Sequence, residues 1–221
     1  MSSVRQPNRM KFYHESHGCS LAVDIVAREL GIPLEIVWVD MSRKVLPDGT
    51  DLHRINPKGQ VPALDFSDGR CLTEGSAILQ YLVDQRPGSD LGAPVGSLER
   101  YRIMEWMSFI ASDLHKGGFM PLFKRTTPDD YRQIARQHIE ARLQWLNDHL
   151  ADRDYLTGAR FTIADAQCYA IVIWTRRHDI DLGRWPHLGA YMERIAARPS
   201  TRAAVVAQQV QEACEAKARD A

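Results

Sequence analysis

Met10–Val39 reads MKFYHESHGCSLAVDIVARELGIPLEIVWV, and its hydrophobic period changes twice. Met10–His14 is a short apolar-rich run bounded by polar residues, the signature of a strand. From Ser20 the apolar residues Leu21, Val23, Ile25, Val26 and Leu30 fall at helical spacing, and Gly31 supplies the stop. After Pro33, Leu34–Val39 returns to strand character. Strand, helix and strand within about 30 residues is the length of a βαβ unit, whose two strands run parallel.

Downstream, Met41–Gly59 is polar and turn-rich, with room for a short helix near Leu52–Ile55. Val61–Phe66 and Arg70–Leu72 flank Ser67-Asp68-Gly69, a hairpin turn. Ser76–Arg86 then reads as a helix with Ile78, Leu79, Leu82 and Val83 on one face. The βαβ and ββα segments together form a small α/β domain. Pro87–Ser97 (PGSDLGAPVGS) holds three glycines and two prolines and reads as a linker. Beyond it the pattern is helical. Ile103, Trp106, Met107, Ile110 and Leu114 repeat at three and four, and Ile134, His138, Leu143, Leu146 and Leu150 mark another helix. Thr162-Ile163-Ala164-Asp165 has capping-box spacing, and His187–Ala197 and Ser200–Val210 read as two more helices. The expected organisation is a polar lead-in over 1–9, an α/β domain over 10–87, a linker over 88–97 and an all-α domain over 98–221. The tail Glu212–Ala221 reads as a fraying helix end.

Composition narrows the function classes. Of 221 residues 44% are hydrophobic and 25% charged, ordinary globular values that exclude fibrous and disordered chains. Lys+Arg and Asp+Glu number 28 each, and the balance is local, with 10 basic and 11 acidic residues up to position 87. Neither nucleic acid nor an anionic membrane is an expected partner. No run approaches the roughly 18 apolar residues of a membrane helix, and MSSVRQPNR lacks the apolar core of a signal peptide. Cys19, Cys71, Cys168 and Cys214 are far apart, with no paired Cys/His spacing, so no metal site is expected and a cytoplasmic location with reduced thiols is.

Chemistry concentrates at three places in the α/β part. Gly18-Cys19-Ser20 puts a thiol in the first turn of the first helix, where unpaired N–H groups and the helix dipole lower a cysteine pKa from about 8.5 towards roughly 3.5–7.5; read alone, Cys19 packs as a small apolar residue just as readily. Asn56-Pro57-Lys58-Gly59-Gln60-Val61-Pro62 leads into a strand with a proline that cannot donate to its ladder. Alone it is a turn before a strand. Glu74-Gly75-Ser76 opens the next helix, where a carboxylate beside free N–H groups suits an amino acid's ammonium and carboxylate; alone it is ordinary capping. Cys71 and Cys168 are expected to be buried and inert, and the scattered His138, His149, His178 and His187 to be surface or core residues.

Taken in order, His17-Gly18-Cys19-Ser20-Leu21, Asn56–Pro62, Leu72-Thr73-Glu74-Gly75 and His115-Lys116-Gly117 resemble the cytosolic glutathione transferases, most closely the bacterial beta class. The likeness runs from about Met10 to Ser200. It implies a thioredoxin-like N-terminal domain that binds glutathione as co-substrate and an all-helical C-terminal domain that lines the pocket of a hydrophobic electrophile. It also implies a homodimer. By the same resemblance Cys19 faces the glutathione sulfur and forms a mixed disulfide with it. Val61 pairs through its backbone with the cysteinyl part, beside a cis Pro62. Glu74 and Gly75 hold the γ-glutamyl end, and Lys44 reaches the glycyl carboxylate. His115, as a second catalytic residue, and Lys116 lie near the sulfur, and Ser108 and Ser112 act at or beside the dimer interface.

The segment before the cysteine departs from the family's Tyr-x-Pro-Gly-x-Cys, reading His14-Glu15-Ser16-His17-Gly18-Cys19. Two readings of His14 stand open: a protonated imidazole that lowers the Cys19 pKa further, or a side chain on the opposite face that does nothing to it. Trp174-Thr175-Arg176-Arg177 lacks a histidine that some relatives carry near the second-substrate pocket. The expected activity is conjugation or thiol–disulfide exchange through Cys19. A dehalogenase, an ether-cleaving lyase and a non-catalytic ligand-binding module of the same fold are the alternatives.

Overall fold

A computed structural model of the 221-residue chain describes residues 10–219. The lead-in assigned to residues 1–9 lies outside them. The chain forms two compact units, one running to Gln85 and taking up the chain again from Arg202, the other Arg86–Thr201.

The first unit is a four-stranded sheet in the order β2-β1-β3-β4. Strand β1 (Met10–His14) pairs in parallel with β2 (Leu34–Trp38), Met10 facing Leu34, and antiparallel with β3 (Ala63–Asp65), Phe12 facing Leu64. Strand β4 (Cys71–Thr73) completes the hairpin through Ser67-Asp68-Gly69. Between β1 and β2 runs α1 (Leu21–Glu29), and α2 (Gly75–Asp84) follows β4 and packs on α1. The internal strand is covered on both faces. Phe12 is fully buried, and Tyr13, pointing the other way, joins Val39, Leu46, Leu52 and Ala63 in a second cluster. That cluster is why the polar 41–59 segment, with its short 3-10 turn Leu52–Arg54, folds back onto the sheet.

The second unit contains α3 (Leu98–Phe109), the four-residue α4 (Met120–Phe123), α5 (Asp129–His149), α6 (Ile163–Val172) and α7 (Pro186–Ala196). Every residue of α6 is buried, and its polar members Asp165 and Gln167 are hydrogen-bonded there. Its start is the capping box: Asp165 accepts from the Thr162 N–H at 2.8 Å and from the Thr162 hydroxyl at 2.9 Å. The same carboxylate takes the Leu156 N–H and the Tyr191 hydroxyl, so burial raises its pKa to about 6 without leaving it unpaired.

Two helical expectations need correction. The regular helix read through Leu114 changes period at Ile110, where ten residues to Phe119 form a π-helix. Gly117 and Gly118 make the wider turn workable. A Cβ at Gly118 would sit 3.0 Å from Ile139 Cγ1 and 3.1 Å from the carbonyl of Asp113, five residues back. The tail is also more ordered than its alanine-rich sequence implies. Helix α8 runs Pro199–Arg219, and Glu212 and Glu215 hold side-chain partners in the first unit.

Candidate functional site

Cys19 is a partly exposed thiol outside any disulfide, but it does not lie in the first turn of α1. Ser20 is the N-cap and Leu21 the first helical residue, so Cys19 precedes both. The N–H groups of Leu21, Ala22 and Val23 point back to the carbonyls of Gly18, Cys19 and Ser20 at 3.2, 3.4 and 3.0 Å. Donors that the sequence left free at the helix start are engaged in a tight turn. Ser20 does not cap α1 with its side chain either. Its buried hydroxyl sits 2.6 Å from His14 Nδ1.

His14 itself settles between the two readings. It is fully buried, stacked on Phe12 and tilted against Trp38, and desolvation, helped by the Arg28 charge, pulls its pKa down to about 3. An imidazole neutral at physiological pH lends no positive charge to a neighbouring thiol. Its role is to tie the end of β1 to the start of α1, on either side of Cys19.

The second motif forms a turn built from its own polar groups. Asn56 Nδ2 donates to the Gln60 carbonyl at 2.7 Å, and Asn56 Oδ1 accepts the Lys58 N–H at 3.1 Å. Gly59 has φ +59°, and a Cβ there would run into the His53 ring, so both backbone and space demand glycine. Lys44 Nζ donates to the Gly59 carbonyl at 2.7 Å, which brings the loop after β2 onto this turn. Val61-Pro62 is a cis peptide. No hydrogen bond among the described residues engages the Val61 backbone, which leaves its N–H and C=O open beside the sheet.

Glu74 stands as N-cap of α2 at φ +70°, with its carboxylate turned outward rather than capping. It pairs with Lys58, whose Nζ also donates to Thr73 Oγ1 at 2.9 Å. Gly75 lies against Pro62: a Cβ there would meet Pro62 Cγ at 3.5 Å. Val61, Pro62, Glu74, Gly75, Lys44 and the 56–60 turn are thus one contiguous constellation. Lys58 was not singled out by the sequence, because nothing in a sixteen-residue spacing signals an ion pair to Glu74.

In the second unit the named residues fall into two groups. Ser108 and Ser112 are exposed, and each hydroxyl donates to its own helix four residues back, to Met104 and Ser108 at 2.8 Å. His115 is instead the polar member of a ring cluster. It meets Trp174 edge-on at 5.1 Å, Trp174 meets Phe119 and Phe123, and Phe123 meets His178 at 4.5 Å. Burial, with the Lys116 charge beside it, lowers the His115 pKa to about 4, so this imidazole is neutral too. His178, read from sequence as a scattered surface or core residue, belongs to the same wall, and burial lowers its pKa as well. The remaining thiols differ from one another. Cys168 is buried, and burial pushes it up to about 12. Cys71 is exposed, contrary to expectation, because β4 is an edge strand; desolvation and then the Asp65 carboxylate raise its pKa. Among the described residues no three His, Cys, Asp or Glu side chains are placed to hold a metal ion, and no helix is long and apolar enough to cross a membrane.

Residues 18–85 match the glutathione S-transferase N-terminal domain and residues 110–199 the glutathione S-transferase C-terminal domain. The chain belongs to the glutathione S-transferase family. It is 44% identical over 199 residues to glutathione S-transferase GstA of Escherichia coli O157:H7, spanning 90% of this chain and 98% of that one. Among solved structures, the bacterial transferase BphK in a ternary complex superposes with a TM-score of 0.87 at 39% identity, covering 90% of this chain and 99% of that one. A sphingomonad glutathione S-transferase complexed with glutathione does so at 0.86 and 40%, covering 90% and 98%. The chain accordingly has the thioredoxin-like N-terminal domain and the helical C-terminal domain of a transferase, and the sheet order and helix sequence agree with that family fold.

Proposed function

We propose that this transferase holds glutathione on its N-terminal unit and uses the tripeptide thiol against hydrophobic electrophiles, with Cys19 as the protein's own reactive sulfur. The observation that carries the reading is the open Val61 backbone, flanked by the outward Glu74 carboxylate and by Gly75. An extended peptide adds to such an edge through main-chain hydrogen bonds. Glu74 then meets the γ-glutamyl ammonium, the α2 start meets its carboxylate, and Lys44 serves the glycyl carboxylate from the adjoining loop. Lys58, which now occupies Glu74, must share or yield that carboxylate when the ammonium arrives.

In conjugation the glutathione thiolate attacks an electrophilic carbon. A C–S bond forms, and the leaving group departs with its electron pair. On the strength of the His115-Lys116-Gly117 motif we assign His115 and Lys116 to the sulfur's surroundings. A neutral imidazole offers it a hydrogen bond rather than a charge. Phe123, half-buried and backed by the buried Trp174 and Phe119, offers the apolar face to the second substrate. In exchange chemistry the Cys19 thiolate attacks oxidised glutathione, whose S–S bond breaks. One glutathione thiolate leaves, and a Cys19–glutathione disulfide remains.

A homodimer is part of the proposal. Leu98, Tyr101 and Met104 form an exposed apolar stripe on α3, opposite the buried Ile103, Trp106 and Met107. A helix apolar on two faces calls for a second partner. Light scattering should return twice 25.1 kDa, and a monomer across micromolar concentrations contradicts it. The site is tested by intact mass after treatment with oxidised glutathione. The wild type should gain glutathione at Cys19, and Cys19→Ser should keep only the lesser, unspecific addition open to the exposed Cys71 and Cys214; undiminished addition to the variant removes Cys19 from its role. A location in the cytoplasm follows as part of the same reading, since a reduced thiol pool keeps Cys19 available.

A further inference from the structure

The loop that presents Cys19 reads His14-Glu15-Ser16-His17-Gly18, where the resemblance implies tyrosine, proline and glycine at 14, 16 and 17. Each of the three substituted side chains reaches the same stripe of α8. Gln208 Nε2 lies 3.4 Å from His14 Nε2 and 3.5 Å from the Glu15 carbonyl. Glu212 Oε1 is 2.8 Å from His17 Nδ1. Glu215 Oε1 accepts the Ser16 hydroxyl at 3.0 Å and is braced by Gln211 Nε2, also at 3.0 Å. Residues 208, 212 and 215 are four and three apart, one face of a helix.

Two features say that this face supplies something the loop lacks. His17 sits at φ +65°, a left-handed conformation that glycine adopts freely and histidine does not. And Glu15 and Ser16 border a cavity of about 680 Å3, whose other walls include Arg43, Gln211 and Glu215, so α8 and the loop face each other across it. Hydrogen bonds from α8 span where a proline's rigidity and a glycine's freedom are missing. Gln208, through neutral His14, also reaches the Ser20 hydroxyl at the other side of Cys19.

We propose that the end of α8 is a clasp that positions the Cys19 loop for glutathione, with Gln208, Glu212 and Glu215 as positioning residues. The inference rests on the proposed glutathione site and assigns it a component from the C-terminal helix. A loop held in its competent shape for only part of the time binds its ligand more weakly by that fraction. Releasing the clasp should therefore act on glutathione and leave the second substrate alone.

The experiment is steady-state conjugation of 1-chloro-2,4-dinitrobenzene with the full-length protein. Glu212→Ala/Glu215→Ala should raise the KM for glutathione about three- to tenfold, with kcat and the KM for the electrophile within about twofold. Glu212→Gln/Glu215→Gln keeps both acceptors and should behave as wild type. In a His17→Gly background, which restores the glycine and removes the partner, Glu212→Ala should have no effect. The clasp is overturned if the alanine pair leaves the glutathione KM unchanged, if both KM values rise together, or if the glutamine pair is as impaired as the alanine pair. A glutathione KM unmoved in these variants, while only Cys19→Ser loses glutathionylation, discards the clasp and keeps the site. Undiminished glutathionylation of Cys19→Ser discards both.

Discussion

The constellation around Val61 and the ring cluster around His115 are made of different materials. In the first unit the constellation is mostly backbone: the open N–H and C=O of Val61, the Gly59 carbonyl held by Lys44, and the positive-φ turns at Gly59 and Glu74. In the second it is a wall of rings, Trp174, Phe119, Phe123 and His178, with one imidazole among them. Backbone recognition suits a fixed tripeptide, since main-chain donors and acceptors sit at defined spacing. Stacked apolar faces impose shape but few directional bonds, and so suit a varied second substrate. The two histidines, His14 buried and His115 half-buried, make the contrast concrete. Both are neutral through desolvation, yet His14 carries hydrogen bonds from one element to another, while His115 faces a ring.

The largest effect that sharpens this contrast is on stability against pH. With its folded pKa at about 3, His14 stays unprotonated while the unfolded chain gains its proton below about pH 6.5. Stability is therefore fully present above that value and falls as pH drops from about 6.5 towards 3. At pH 5 the loss reaches about 2 kcal/mol from this residue. Urea unfolding at pH 7 and pH 5 measures it. His14→Gln should shrink the pH-dependent loss by about that amount, and an unchanged loss would mean that the imidazole is solvated.

A smaller effect probes the ring wall. Phe123→Leu removes the edge contacts to Trp174 and His178 while keeping an apolar side chain. At about 0.5–1.5 kcal/mol for such aromatic pairs, the KM for a hydrophobic electrophile should rise about two- to tenfold, with the KM for glutathione unmoved. Equal rises in both would break the division of labour between the two regions.

That division also explains what was legible in the sequence. The βαβ order, the hairpin at Ser67–Gly69 and the Thr162–Asp165 capping box announce themselves because each is a local rule about period, turn or cap. The Asn56–Pro62 turn is legible for the same reason: its bonds close within five residues. Contacts across long separations leave no such trace. Gln208 meets His14 across 194 residues, and Glu215 meets Ser16 across 199. The tail therefore read as a fraying end, and His14 remained ambiguous between a charge and a bystander. His178 was passed over because a lone histidine carries no pattern; only the fold gathers it with Phe123. The π-helix at Ile110–Phe119 was read as a regular helix because apolar spacing of three and four tolerates one widened turn, and the Gly117-Gly118 pair is its faint signal.

In the proposed site glutathione is held by the Val61 edge and the Glu74 carboxylate. Calorimetric titration of the purified protein with glutathione, wild type against Glu74→Ala, tests that claim most directly. Loss of a charged hydrogen-bond partner, worth about 1.5–3 kcal/mol, should weaken binding by more than about tenfold; equal affinity in the two proteins would contradict the assigned site.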